Sequence, residues 1–234
     1  MEKHENTRMQ TRIEKMFEIV EFPSQGITLR GRLYNPNKTK KNSIVIMAHG
    51  FSATINGMTA DRYAEAFNKA GLAVLLYDHR NFGISDGKPR QEINMWVQAR
   101  GYLDSINFVS TLPGINTDKI GIWGCSLSAR EILIVGAVDE RVKAIVGQAT
   151  AYGDDSPPAD QDGSIFSFIK KTVLSDQIME FPHIVTGPMP VVSSDQIGTP
   201  SALTELTRAQ SSTVVSQRLG KQATSRAGVA AIPS

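Results

Sequence analysis

Cysteine is almost absent from this chain of 234 residues, where Cys125 stands alone. A single thiol excludes an internal disulfide framework and fits a reducing compartment, so the expected location is cytoplasmic. No apolar run is long enough to span a bilayer, and the N-terminal MEKHENTRMQTRIEK is charged where a secretory signal needs an apolar core. Excess charge is lacking too. A net charge of +2, with no basic stripe interleaved with aromatics, argues against nucleic acid as a partner. The end of the chain is the poorest part: no aromatic follows Phe181, no histidine follows His183, and no acidic residue follows Glu205. Residues 201–234, rich in Ser, Ala, Gln and Thr, read as a poorly ordered tail.

What is present has a regular rhythm. Phe17 to Phe22 and Ile27 to Tyr34 read as two strands joined by the turn-forming Pro23-Ser24-Gln25-Gly26, a hairpin at a sheet edge. Ser43 to Ala48, Leu72 to Tyr77 and Arg141 to Gly147 are short apolar runs of the kind buried on both faces of a parallel sheet. Ile120 to Trp123 is a fourth. Between them lie helical patterns: Thr59 to Ala70, with Tyr63, Phe67 and Ala70 facing the sheet, the segment from Gln91 to the Pro113-Gly114 stop, and Leu127 to Val138. Strand and helix alternate from residue 43 onward, which predicts a doubly wound, mostly parallel sheet between helical layers. The spacing of Ile165, Phe166, Phe168, Ile169, Val173 and Leu174 predicts an amphipathic helix, within a cap-like insertion around residues 152–190.

The chemistry gathers where strands end. Lys119 to Arg130, KIGIWGCSLSAR, is an apolar strand that meets a Gly-x-Ser-x-small turn and runs into a helix. Small residues at Gly124 and Ser128 let the chain turn sharply and lift Ser126 clear, which makes it the candidate nucleophile. The free N–H groups of the helix that begins there suit developing negative charge. After an earlier strand comes His49-Gly50-Phe51, whose Phe51 N–H is a candidate oxyanion donor. His49 reads as a buried structural imidazole, hydrogen-bonded beneath that loop, rather than as a direct proton acceptor. Asp78 to Gly87, DHRNFGISDG, is a polar loop in which Asp78 and Arg80 are expected to pair and hold its shape. Cys125, one residue from the apex, is expected to be a small buried hydrophobe.

Together, His49-Gly50-Phe51, the Asp78–Gly87 loop and the Gly121–Ser128 elbow resemble the α/β-hydrolase superfamily. The wording YDHRNFGISDGKPRQEIN and GYLDSINFV is similar to its dienelactone-hydrolase-like and Xaa-Pro-peptidase-like branch, which includes thiohydrolases and transferases of polyketide pathways. The resemblance runs from about residue 17 to residue 206. It implies a three-layer α/β/α fold over 17–200 in which Ser126 attacks a small acyl ester, thioester or amide, with Phe51 and Leu127 N–H groups as oxyanion donors. No cofactor and no metal are expected. The resemblance also implies a late acid and a late histidine, and neither stands where the family places it. The only histidine after the elbow is His183, with Asp154 or Asp155 as alternative acids. The last two strand and helix units also lack a counterpart, so the sheet is expected to be incomplete, with an uncovered edge that invites oligomerisation. The branch has two glycines where this chain has Ala129-Arg130, and Arg130 is expected to crowd the strands unless it exits to solvent. Two readings follow: a serine hydrolase or acyl transferase, and a truncated, catalytically impaired hydrolase-like protein.

Overall fold

A computed structural model describes residues 17–35, 40–57, 60–150 and 160–174. Among these residues six strands form one mixed sheet: β1 (Glu18–Ser24), β2 (Ile27–Tyr34), β3 (Asn42–Ala48), β4 (Ala73–Tyr77), β5 (Ile115–Cys125) and β6 (Val142–Gln148), in the spatial order β1-β2-β4-β3-β5-β6. The β1–β2 hairpin is antiparallel and β2 runs antiparallel to β4, whereas β4, β3, β5 and β6 are parallel neighbours. Four helices accompany them among the described residues: α1 (Ala60–Lys69), α2 (Met95–Ser110), α3 (Leu127–Val138) and α4 (Ser164–Leu174). The alternation expected from residue 43 is the one observed. The architecture is three-layer α/β/α with a mostly parallel sheet.

Side chains of a strand alternate between faces, and β4, the Ile44–Ala48 run of β3 and the Ile120–Trp123 run of β5 are apolar on both, so each face builds its own core. Ile44, Ile46, Leu75, Tyr77, Ile120 and Ile122 pack on one side with Ala99, Leu103 and Ile106 of α2 and Ile132 and Val135 of α3. Met47, Val74, Leu76 and Trp123 pack on the other with Ala60 and Ala64 of α1. The α1 contact corrects the sequence expectation. Ala60 and Ala64 are the buried pair and Phe67 is half-buried, while Tyr63 and Ala70 are exposed. Two alanines one turn apart let the helix sit close to the sheet, which turns Tyr63 toward the strand ends.

Three boundaries also shift. Asn94 caps α2 by accepting the N–H groups of Trp96 and Val97, so the helix starts at Met95 rather than near Gln91. The strand before the elbow is longer than Ile120 to Trp123, beginning at Ile115. β6 is less buried than its apolar sequence suggests, with Ala144, Ile145 and Val146 half-buried, because among the described residues only β5 lies beside it. In α4, Val173 is buried while Ile165, Phe166, Phe168 and Leu174 are exposed. The rest of the expected 152–190 insertion and the 201–234 tail lie outside the described residues.

One buried side chain joins the strands that carry the site. Tyr102 of α2 is fully buried; its hydroxyl accepts the Ala48 N–H at 3.1 Å and donates to the Trp123 carbonyl at 2.9 Å, at the carboxyl ends of β3 and β5. Tyr102→Phe strands both backbone groups in a dry core, and the expected loss is about 1–3 kcal/mol of unfolding free energy, read as a lower urea midpoint at unchanged slope.

Candidate active site

The carboxyl edge of the sheet is where chain turns concentrate. β5 ends at Cys125, Ser126 adopts φ 59° and ψ −117°, and α3 begins at Leu127. A positive φ at a non-glycine residue is strained, and the tertiary structure must hold it. Several contacts do so. Ser126 N–H donates to the Gln148 carbonyl at 2.9 Å, and Ala129 N–H donates to the Ser126 carbonyl at 3.2 Å. A side chain at Gly124 would place its Cβ 2.5 Å from the Ser128 carbonyl oxygen, so the close return of the helix requires glycine there. The fully buried Ser128 does more than provide small volume. Its Oγ accepts the Cys125 N–H at 2.9 Å and lies 3.1 Å from the Ala48 carbonyl, linking the elbow to the end of β3.

The loop after β3 crosses directly over this turn. A Cβ at Gly50 would lie 2.5 Å from the Cys125 carbonyl and 3.1 Å from Ser126 Cβ, so backbone rests on backbone. Phe51 follows at once, 37% exposed. Among the described residues, neither the Phe51 N–H nor the Leu127 N–H is taken up by a hydrogen bond, and none reaches Ser126 Oγ. Two backbone donors without a partner among the described residues therefore stand on the two segments that meet at Ser126. Arg130 is exposed, so it takes the exit to solvent and does not crowd the strands. Cys125 is half-buried against the α1-side core, and burial pushes its thiol pKa up, which disfavours the thiolate.

Two expectations about the neighbouring loops are corrected. Asp78 does not pair with Arg80. Its Oδ1 accepts the Ile55 N–H at 2.7 Å and its Oδ2 accepts the Ile84 N–H at 2.9 Å, while Arg80 Nη1 donates to the Gln25 carbonyl at 3.3 Å. A buried carboxylate lacking a cation is best satisfied by backbone donors, and here it ties two loops together. Burial still raises its pKa, against the lowering effect of those two bonds. His49 is buried as expected, but its Nε2 has no hydrogen-bond partner in the structure. Burial, reinforced by the nearby His79, lowers its pKa to about 4, so it is a neutral imidazole at pH 7.

A buried contact that the sequence reasoning missed lies behind the elbow: His79 Nε2 is 3.2 Å from Glu131 Oε2, with both side chains almost fully buried, though not in hydrogen-bonding orientation. The available signal was Glu131 itself, an acidic residue inside the apolar run of α3. Among the described residues, no group of three or more His, Cys, Asp or Glu side chains is placed to hold a metal. No helix among them is long and apolar enough to cross a membrane. His183, Asp154 and Asp155 lie outside the described residues.

Known proteins are similar to this chain in sequence and fold. A family model described as alpha/beta hydrolase fold matches residues 43–168. Thiohydrolase aneE of Aspergillus aculeatus is 40% identical over 134 residues, which cover 57% of this chain and 41% of that protein. Polyketide transferase claH of Penicillium crustosum is 35% identical over 146 residues, 60% of this chain and 47% of that one. The chain thus spans under half the length of these curated relatives. The solved structure of the alpha/beta hydrolase GrgF from Penicillium sp. sh18 superposes with a TM-score of 0.59 at 28% identity, over 87% of this chain and 67% of that one.

Two outcomes test the geometry. Gly50→Ala forces the crossing backbones apart, and the expected cost is about 1–3 kcal/mol, seen as a lower melting temperature. The neutral His49 must be protonated as pH falls from its unfolded value of 6.5 through about 4. The unfolded chain binds the proton first, so stability decreases on acidification across that window. In urea titrations at several pH values, His49→Gln is expected to flatten this part of the pH dependence.

Proposed function

The chain belongs to the alpha/beta hydrolase fold family, and from that premise we propose that it is a hydrolase-fold protein that retains a serine nucleophile turn but is impaired in activating it. One observation carries this reading. Ser126 has the strained elbow conformation, yet among the described residues no imidazole or carboxylate hydrogen-bonds to its Oγ. A serine hydroxyl is a weak nucleophile until a base removes its proton. Ser126 is the residue for attack, and the Phe51 and Leu127 N–H groups are the donors for an oxyanion. Donors and binding alone retain a residual acceleration of roughly 10³–10⁴ over water in serine enzymes stripped of their triads.

A second reading is favoured by what the relatives are named: a thiohydrolase and a polyketide transferase, both acyl-transfer activities. On this reading the protein takes small acyl esters or thioesters through an acyl-enzyme at Ser126, in the manner of the dienelactone-hydrolase-like branch. His183 would be the base and Asp154 or Asp155 the orienting acid. The partner is a small acyl substrate and not nucleic acid, the single cysteine suits a cytoplasmic setting, and the side of β6 that has no neighbour among the described residues would provide an edge for self-association.

The two readings separate in one experiment. The protein and its Ser126→Ala variant are treated with a fluorophosphonate probe and with p-nitrophenyl acetate. Impairment is expected to give the same background labelling and hydrolysis in both. Stoichiometric labelling with turnover that disappears in Ser126→Ala overturns it and establishes the acyl-enzyme reading.

A further inference from the structure

Two aromatic rings on the elements around the elbow, Tyr63 and Phe51, are partly exposed. Tyr63, in the first turn of α1, is 36% exposed, and its ring lies 5.3 Å from that of the buried Trp123. Its hydroxyl accepts a hydrogen bond from Gln148 Nε2 at 2.8 Å. The carbonyl of the same Gln148 takes up the Ser126 N–H at 2.9 Å. One residue therefore holds the serine's backbone with its main chain and the tyrosine with its side chain, and the phenol ring stands one glutamine's length from the elbow. Phe51, also exposed, opens from the loop that crosses the elbow at Gly50. Cys125 is packed against the same core as Trp123.

Two features of this surface decide what it would take. Tyr63, Trp123, Phe51, Cys125 and Gln148 carry no charge, so these side chains themselves offer an ionic group no ion pair. A tyrosine ring laid on a tryptophan and pinned at its hydroxyl has lost most of its freedom already, so seating a ligand on it costs little further ordering. We propose that Tyr63, braced by Gln148, and Phe51 seat the uncharged apolar chain of an acyl group whose carbonyl lies at Ser126. The proposal rests on the reading of Ser126 as the acyl-accepting position and adds the part of the substrate that the elbow does not touch.

The test uses Ser126→Ala protein, so that nothing is turned over or captured covalently, and N-acetylcysteamine thioesters of acetate, hexanoate and octanoate measured by isothermal titration calorimetry. Binding is expected to tighten by about tenfold or more from acetyl to octanoyl. Adding Tyr63→Ala should remove most of that gain, Tyr63→Phe should keep most of it, and Phe51→Ala, in an exposed loop, should reduce it independently of helix α1. Affinity that does not rise with chain length, or a gain that survives both alanine variants, overturns the proposal. Fluorophosphonate labelling of the protein with Ser126 intact tests the serine's chemistry separately, because the chain-length dependence is read in protein that lacks the serine.

Discussion

The constraint on which the site depends is the backbone of Ser126. A non-glycine residue held at positive φ costs on the order of 1–3 kcal/mol, and it persists only because neighbours leave no alternative. Gly124 allows the helix to return against the strand, Gly50 allows a second loop to press on the turn, and the Gln148 carbonyl fixes the Ser126 N–H. The parallel order β3-β5-β6 follows from the same need, since each of the three strands delivers one of these contacts at its carboxyl end. In open α/β sheets that edge is where ligands bind.

Beneath the edge lies a second layer of polar side chains in an otherwise apolar interior. Tyr102 bridges β3 and β5, Ser128 ties the elbow to β3, Asp78 joins two loops through their backbone N–H groups, and His79 meets Glu131. Apolar packing sets which elements meet, but it is tolerant of small slides. Directional hydrogen bonds at strand ends are not, so they fix the register of the turns that surround Ser126. Burial, with Glu131 adding to it, raises the pKa values of Tyr77 and Tyr102, which keeps both phenols protonated.

Much of this was legible in the sequence, for reasons that particular residues show. The apolar runs at Ile44, Leu75 and Ile122 have the length and branching of buried parallel strands, and Gly124 with Ser128 marks the sharp turn at Ser126. The less legible parts are those decided by partners distant in sequence. Asp78 beside Arg80 reads as an ion pair, but the fold presents backbone N–H groups from Ile55 and Ile84 first. Tyr63 reads as core because of its spacing, but Ala60 and Ala64 fit the sheet more closely. His49 reads as a hydrogen-bonded imidazole, yet its Nε2 finds no partner. Local pattern sets the elements, whereas the satisfaction of buried polar groups is settled only in three dimensions.

The contact of Gly50 with the Cys125 carbonyl has a further consequence for how the edge of the sheet responds to a ligand. The loop and the elbow touch without an intervening side chain, so a shift of one backbone is passed directly to the other. On the reading proposed above, a carbonyl oxygen held by the Phe51 and Leu127 N–H groups would meet dipoles carried by two segments braced on each other, with little reorganisation energy left to spend. The benefit of such a site depends on charge building up during reaction. Where no proton acceptor draws the hydroxyl hydrogen away, the same dipoles stabilise the resting carbonyl, deepening the bound state without lowering the barrier above it.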